Sequence, residues 1–455
     1  MADGERGGTG AIYRGLIHLG IGLAPLLARG RAKVREGLAG RRGLLARYAE
    51  WAATRRDLSR PLLWLHAPSV GEGRQAEAIL RLLRAAHPDW QVAYTFFSPS
   101  AAGAAEEQPA DFVAYLPWDR RRDVAAALDA LQPSAVVFCK LDLWPELATA
   151  AAERGAGVGL VAATVSPEAR RLRWPARALL APGYRAVRLA GAITREDAAR
   201  LARLGVRPER IAVTGDPRFD SALRRADEVP PDDPLRRYCR SAPTLVAGST
   251  WPEDEAELLP AYASVVRLRP EARLVVVPHE PGPSQLAALD RAAGAAGLPN
   301  PQRLSAAPPP GTLEPGQVLV VDRIGVLRSF YADAGLAYVG GGFGSRGLHS
   351  VLEPAAAGVP VLFGPSWRGS PDAAALLQAR AAAVAGPRFP DWLDLDSDTT
   401  LADANPIAAL WLALLRHPAH ARSAGKRGRA RVEEGLGAAD RNAEIVERVM
   451  KGAGD

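Results

Sequence analysis

Three short stretches put reactive or ligand-binding side chains just after runs that read as buried strands. In Trp64–Leu80, WLHAPSVGEGRQAEAIL, a lone carboxylate, Glu72, stands between Gly71 and Gly73 where an apolar run gives way to helical spacing. A carboxylate there can accept a proton from a ligand hydroxyl, or can simply complement the positive end of the helix dipole. In VFCKLDLWPEL, Lys140 and Asp142 follow a strand and Pro145 suits the first turn of a helix. Lys140 can pair with an acidic group of a ligand or with Asp142. In Tyr338–Pro365, YVGGGFGSRGLHSVLEPAAAGVPVLFGP, a strand ends in Gly340, Gly341 and Gly342, and a helix is expected to start between His349 and Glu353. Glycines let backbone N–H groups approach a phosphate, and the helix start adds partial positive charge. Glu353, about one turn into that helix, can accept hydrogen bonds from a ribose diol or can lie exposed on its surface. The spacing is neither GxGxxG nor a Walker loop.

Weaker candidates sit in similar places. VAGSTWPEDEAELL reads as strand, small polar loop and helix, with Ser249 or Thr250 expected to cap the helix and Glu253 to complete a capping box. The same hydroxyls can face a phosphate. VVVPHEPG puts His279 and Glu280 at a strand end, where His279 is either a ligand contact or structural. Arg195 and Arg218, in AITREDAARL and VTGDPRFDSAL, face either a ligand or solvent.

These loops need a scaffold that presents strand ends. From Pro61 onward, short β-branched and aromatic runs alternate with helical stretches, which implies parallel sheets covered on both faces. The chain has 455 residues, too many for one ordinary core, and the rhythm pauses in the Pro-rich, charged LRRADEVPPDDPLRRYCRSAP. The expected organisation is an N-terminal lead-in over 1–60, an α/β domain over 61–225, a linker over 226–243 and a second α/β domain over 244–455. The final helical stretch, Pro418 to Val449, has the option of packing back on the first domain. Two Rossmann-like, doubly wound domains facing a cleft would aim the carboxyl ends of both sheets, where ligands bind, at that cleft.

Composition narrows the chemistry. Two cysteines far apart, Cys139 and Cys239, make neither a disulfide framework nor a zinc cluster, and the seven histidines show no metal-ligand spacing. A reducing compartment and no metal are therefore expected. The net charge of +7 is concentrated: residues 1–60 hold twelve Arg/Lys against five Asp/Glu, and the rest is nearly neutral. A basic excess so confined, without interleaved aromatics, argues against nucleic acid. The apolar stretch Ala11–Ala28, interrupted by Arg14, His18 and Pro25, is short for a membrane span. Clustered arginines follow it, and the pattern suits a helix lying on an anionic leaflet; the alternatives are an N-terminal anchor that spans the membrane and a helix packed on the domain with a solvated basic face. No small-residue cleavage site follows, so a removable signal peptide is not expected.

Taken in order, HAPSVGEG, FFSPSAAG, YLPWD, LDLWPEL, VTGDPRFD, AGSTWPEDE, VVPHEPG and YVGGGFGSRGLHSVLEPAAAGVPVLFGP resemble the 3-deoxy-D-manno-octulosonic acid (Kdo) transferases of lipopolysaccharide synthesis, over roughly residues 12–445. The resemblance implies a GT-B glycosyltransferase whose first domain takes the acceptor and whose second takes a CMP-activated sugar. It implies metal-independent transfer of Kdo from CMP-Kdo to a lipid A precursor, with inversion, at the cytoplasmic face of the inner membrane. Glu72 matches the family's catalytic carboxylate. Ser249, Thr250, His279, Gly341, Gly342, Ser350 and Glu353 become donor-binding candidates, and Ser69, Lys140 and Arg218 acceptor- or phosphate-binding candidates. The sequence departs from the family where many members carry an acidic pair and this one reads Cys139-Lys140-Leu141-Asp142. It departs where PHEP replaces PRHP, and where Ser350 replaces the Asn of GGHNPLEP. The alternatives are another GT-B enzyme using a UDP-sugar, whether transferase or epimerase, and a non-catalytic nucleotide- or lipid-binding relative.

Overall fold

The computed structural model describes residues 10–307, 309, 312–386, 390–393 and 405–452. The ends of the sequence-read N- and C-terminal segments, 1–9 and 453–455, lie outside the described residues, as do 387–389 and 394–404 within the second domain. The chain divides into two compact units, one of residues 1–221 with 435–455 and one of residues 222–434.

In unit 1 the short apolar runs become seven parallel strands: β1 (Leu62–His66), β2 (Gln91–Phe96), β3 (Phe112–Tyr115), β4 (Ala135–Cys139), β5 (Gly157–Ala163), β6 (Leu189–Ala192) and β7 (Ile211–Val213). Their order is β3-β2-β1-β4-β5-β6-β7. Every residue of β1, β2, β4 and β5 is buried, as a sheet covered on both faces requires. Unit 2 repeats the plan with β8 (Thr244–Thr250), β9 (Arg273–Pro278), β10 (Gln302–Arg303), β11 (Leu319–Val320), β12 (Leu336–Val339), β13 (Val361–Phe363) and β14 (Ala382–Val384). Its order is β10-β11-β9-β8-β12-β13-β14, again with every pairing parallel. Each sheet reverses direction of growth once, between β1 and β4 and between β8 and β12. Loops leaving the carboxyl ends of those two strands diverge there and open a crevice.

The domain boundaries differ from those read in the sequence. The lead-in is three helices, α1 (Ala11–Leu27), α2 (Ala32–Ala39) and α3 (Leu44–Arg55), and it belongs to unit 1. The expected linker over 226–243 belongs to unit 2. Its Tyr238 and Cys239 are buried with Phe330 and Val246, and Arg236 grips Asp333 through two bonds of 2.6 and 3.1 Å. Its charge density marks ion pairs rather than a free connection. The end of the chain belongs to unit 1. Gly437, in the left-handed region at φ 80°, separates the Pro418–Glu433 helix from the Ala438–Lys451 helix. On the latter, buried Asn442 accepts bonds from the Ala162 N–H and the Thr214 hydroxyl at 3.0 and 3.2 Å. A Cβ on Gly157 would stand 2.3 Å from the Val449 carbonyl, so the strand approaches this helix as only glycine permits.

The lead-in is fastened by Arg41. Its guanidinium lies 4.4, 4.7 and 4.6 Å from the rings of Phe97, Tyr115 and Trp118. It also donates to the carbonyls of Leu116, Gly37 and Phe97. Burial pulls its pKa down to about 10, so it stays charged and its cost is offset by ring faces and carbonyls. Arg41→Ala strands those three acceptors and is expected to destabilise unit 1 by about 2–4 kcal/mol, read as an earlier urea transition in circular dichroism. Arg41→Lys keeps the charge but lacks the planar fork, and is expected to recover only part of the loss.

Candidate active site

In unit 1, Glu72 lies in the first turn of α4 (Val70–Ala86), directly after β1, and Lys140 directly follows β4. They flank the switch point, so strand order rather than sequence proximity brings them together. Lys140 Nζ lies 2.7 Å from Glu72 Oε1, and the Ser69 hydroxyl donates to Glu72 Oε2. Burial by itself would raise the Glu72 pKa. The bonds from Lys140 and Ser69 outweigh it and hold the carboxyl below the usual range. Lys140 sits at φ 65°, a left-handed conformation uncommon for a lysine, and its N–H is tied to Val161 O at 2.8 Å.

The local pairing of Lys140 with Asp142 does not form. Asp142 instead accepts from His66 Nε2 at 2.9 Å and Trp144 Nε1 at 3.1 Å. The left-handed turn at Lys140 sends its side chain toward α4, away from its neighbour two residues on. Arg218 is gathered to the same end of the sheet. It donates to Asp216 at 2.7 Å, and Asp216 accepts from Gln75 of α4 at 2.9 Å. Arg195 is exposed at the start of its helix.

In unit 2, the loops after β8 and β12 meet at the second switch point. Ser249 is at φ 56°, beside a break in the β8–β9 register. The residue that caps the following helix is Trp251, not Ser249 or Thr250, and Asp254, not Glu253, reaches back to it, accepting from its N–H at 2.9 Å. Thr250 is buried and its hydroxyl donates to Glu255 at 2.9 Å. Asp254, fully buried, also takes the Tyr338 hydroxyl at 2.7 Å and the Gly341 N–H at 2.8 Å. The Gly341 amide expected to face a phosphate is therefore consumed inside the protein. The glycines serve close approach: a Cβ on Gly340 would stand 2.2 Å from Ser249 O, and one on Gly342 2.3 Å from Gly364 N. The helix that follows spans only Leu352–Ala356 and starts after His349.

What these two loops do build, together with the loop after β9, is a ring stack. His279 and His349 lie face to face with centroids 4.3 Å apart, and Trp251 packs against both. Trp251 Nε1–H donates to His349 Nε2 at 3.0 Å, which fixes the imidazole proton on Nδ1. Burial and the neighbouring His279 lower the His349 pKa to about 4, so it is a neutral, oriented donor at pH 7. The Arg346 guanidinium rests 4.1 Å from the Trp251 ring. Ser350 is exposed next to His349. Glu353 lies apart from this stack, in a crevice with Arg225, Arg328 and Tyr331. Trp251, Asp254, Arg346 and His349 were not among the residues singled out from the sequence. The one signal available was a histidine in the loop after β9 and another in the loop after β12.

Two parallel α/β units with these strand orders define the GT-B fold. The same fold recurs in the UDP-GlcNAc 2-epimerase of Neisseria meningitidis, solved bound to UDP-GlcNAc (TM-score 0.57, 13% identity, 86% of this chain and 100% of that one). It recurs in a UDP-N-acetylglucosamine 2-epimerase from Listeria monocytogenes (TM-score 0.56, 12% identity, 85% and 95%). Sequence goes further than fold. Residues 38–221 match the family model described as 3-deoxy-D-manno-octulosonic-acid transferase (kdotransferase). The chain is 29% identical to the 3-deoxy-D-manno-octulosonic acid transferase of Bordetella pertussis over 407 residues, 85% of this chain and 86% of that one. It is 27% identical to that of Chlamydophila psittaci over 341 residues, 71% and 73%. By these matches the chain is similar to the Kdo transferases over most of its length.

Proposed function

We propose that the protein transfers Kdo from CMP-Kdo to a lipid A precursor, with inversion at the anomeric carbon and with Glu72 as general base. The observation that carries this reading is a carboxylate held ionised by Lys140 and Ser69 at the switch point of unit 1, in a chain similar to the Kdo transferases. A sugar hydroxyl is a poor nucleophile until its proton has somewhere to go, and Glu72 Oε1 is the acceptor assigned to it. Ser69, Lys140 and Arg218 are the groups assigned to the acceptor's polar and phosphate parts.

The donor is assigned to unit 2. Ser249, His279 and Ser350 join Arg346 and the Nδ1–H of His349 on its phosphate and keto-acid groups. The Gly341–Gly342 turn, with Thr250 behind it, shapes the floor, and Glu353 is assigned to the ribose. Charge that develops on the leaving CMP is met in this reading by these fixed donors rather than by a metal ion. Access to a lipid acceptor is assigned to α1, whose apolar face is exposed. No helix among the described residues is long and apolar enough to cross a membrane; the reading seats the protein on the cytoplasmic leaflet through the exposed apolar face of α1.

Incubation with CMP-Kdo and a tetraacyl bisphosphorylated disaccharide is expected to raise the lipid mass by one or more Kdo residues. Titration of the free protein is expected to favour CMP over UDP. No mass increase, with UDP preferred, would transfer the assignment to a UDP-sugar enzyme of the same fold.

A further inference from the structure

We propose that Lys140 is a positioning residue that masks Glu72, and that an anionic group of the acceptor lifts the mask by drawing the ammonium away. The proposal rests on the reading of Glu72 as the base and adds to it how the base is released.

The two side chains are unequally accessible. That of Lys140 is 43% exposed and that of Glu72 only 13%. A ligand arriving from solvent meets the ammonium first. With Lys140 on Oε1 and Ser69 on Oε2, each carboxylate oxygen is engaged by a donor. Such a carboxylate is ionised but weakly basic. The left-handed backbone at Lys140 and its bond to Val161 fix the root of the side chain beside α4. The ammonium, at the end of a flexible stem, can follow a phosphate or carboxylate a short distance without disturbing the strand. Oε1 is then open to the acceptor hydroxyl. As the hydroxyl oxygen bonds to the anomeric carbon, its proton passes to Oε1. The bond from that carbon to the CMP phosphate oxygen breaks, and its electron pair leaves with CMP.

The other groups that face Glu72 do not duplicate this role. Tyr94 from β2 and Cys139 from β4 both lie close, and burial pushes both pKa values well up, which keeps phenol and thiol neutral. Asp142, held below the usual carboxylate range despite burial by His66, Trp144 and Arg171, is engaged with His66. Asp216, in the loop after β7, is engaged with Gln75 of α4 and with Arg218. Lys140 thus gives this chain a cation on the base itself.

The test compares pH profiles of the full-length wild type, Lys140→Met and Lys140→Arg with CMP-Kdo and the bisphosphorylated acceptor. The acid limb of kcat/KM reports the free enzyme and that of kcat the loaded one. In the wild type, the kcat limb is expected to lie at higher pH than the kcat/KM limb, because the acceptor has taken the ammonium. In Lys140→Met the kcat/KM limb is expected to move up to meet it, with kcat/KM down by about 10²-fold at the optimum, while Lys140→Arg keeps the separation. Coincident limbs in the wild type, or limbs unmoved by Lys140→Met with an unchanged melting temperature, would overturn the proposal. Glu72→Gln measured alongside separates the two ideas: full activity there removes the base, whereas lost activity with unmoved limbs removes only the mask.

Discussion

Glu72→Gln is expected to lower kcat by about 10²–10⁴-fold, the usual contribution of a positioned general base, with little change in folding or in CMP affinity. Glutamine has the same shape, its amide oxygen still accepts from Lys140, and its position in the first turn of α4 is unaltered. What it lacks is a lone pair able to take and keep a proton. Stability is expected to hold because Lys140 is nearly half exposed and can solvate its own charge when the pair is lost. Nucleotide affinity is expected to hold because the donor groups are assigned to unit 2, whereas Glu72 belongs to unit 1. The measurements are product mass over time, the melting temperature, and CMP titration. Turnover within threefold of the wild type, with all else equal, would remove Glu72 from the chemistry. The sign of the pH dependence follows from the environment. The reactive form is the carboxylate, and Lys140 and Ser69 hold its pKa below the ordinary value against burial. Activity limited by the free enzyme should therefore persist to more acidic pH than an unperturbed glutamate would allow, and fall as pH drops through the lowered pKa.

The place of Glu72 in a strand-to-helix turn, and the sheet order behind it, were legible because both leave local marks. A buried strand is an apolar run, a strand-to-helix turn is a break in that run, and a carboxylate in the turn is visible by residue type. Alternation of strands and helices then dictates parallel sheets with functional loops at the carboxyl ends. Partners were not legible, because they are chosen by three-dimensional neighbours. Lys140 is two residues from Asp142 and sixty-eight from Glu72, yet its left-handed backbone selects the distant one. Asp254 and Gly341 are eighty-seven apart, and nothing near either announces that one consumes the other's amide. A glycine run reads alike whether it admits a phosphate or another strand of backbone. The 226–243 segment shows the same limit: proline and mixed charge mark a solvated linker as readily as the Arg236–Asp333 ion pair of a folded one.

The second large effect is expected at α1. Tyr13 is its buried residue, donating to Asp119 at 2.6 Å, and Arg14 grips Glu146 at 2.9 Å. These polar contacts fasten one side of the helix to unit 1. They leave Ile12, Leu16, Leu19, Leu23, Leu26 and Leu27 between 43% and 71% exposed, at spacings that share a face. Exposed Arg29, Arg31, Lys33 and Arg35 follow. A row of six large apolar chains left in water on a helix held by polar contacts is the arrangement expected of a surface-seeking helix, and on an anionic surface the arginines would meet lipid phosphates. Replacing Leu16, Leu19, Leu23 and Leu26 by Gln keeps helix propensity and spares Tyr13 and Arg14. Each replacement forfeits about 0.8–1.5 kcal/mol of transfer to lipid. Together they amount to about 3–6 kcal/mol, or about 10²–10⁴-fold in partitioning. Cosedimentation with phosphatidylglycerol vesicles is expected to show binding by the wild type and its loss in the quadruple variant. Added salt should weaken only the arginine-dependent part. On a short-chain, micelle-free acceptor the variant should turn over like the wild type, because the switch-point groups of unit 1 are untouched. Equal vesicle binding by both proteins would show that the leucine row serves some contact other than lipid.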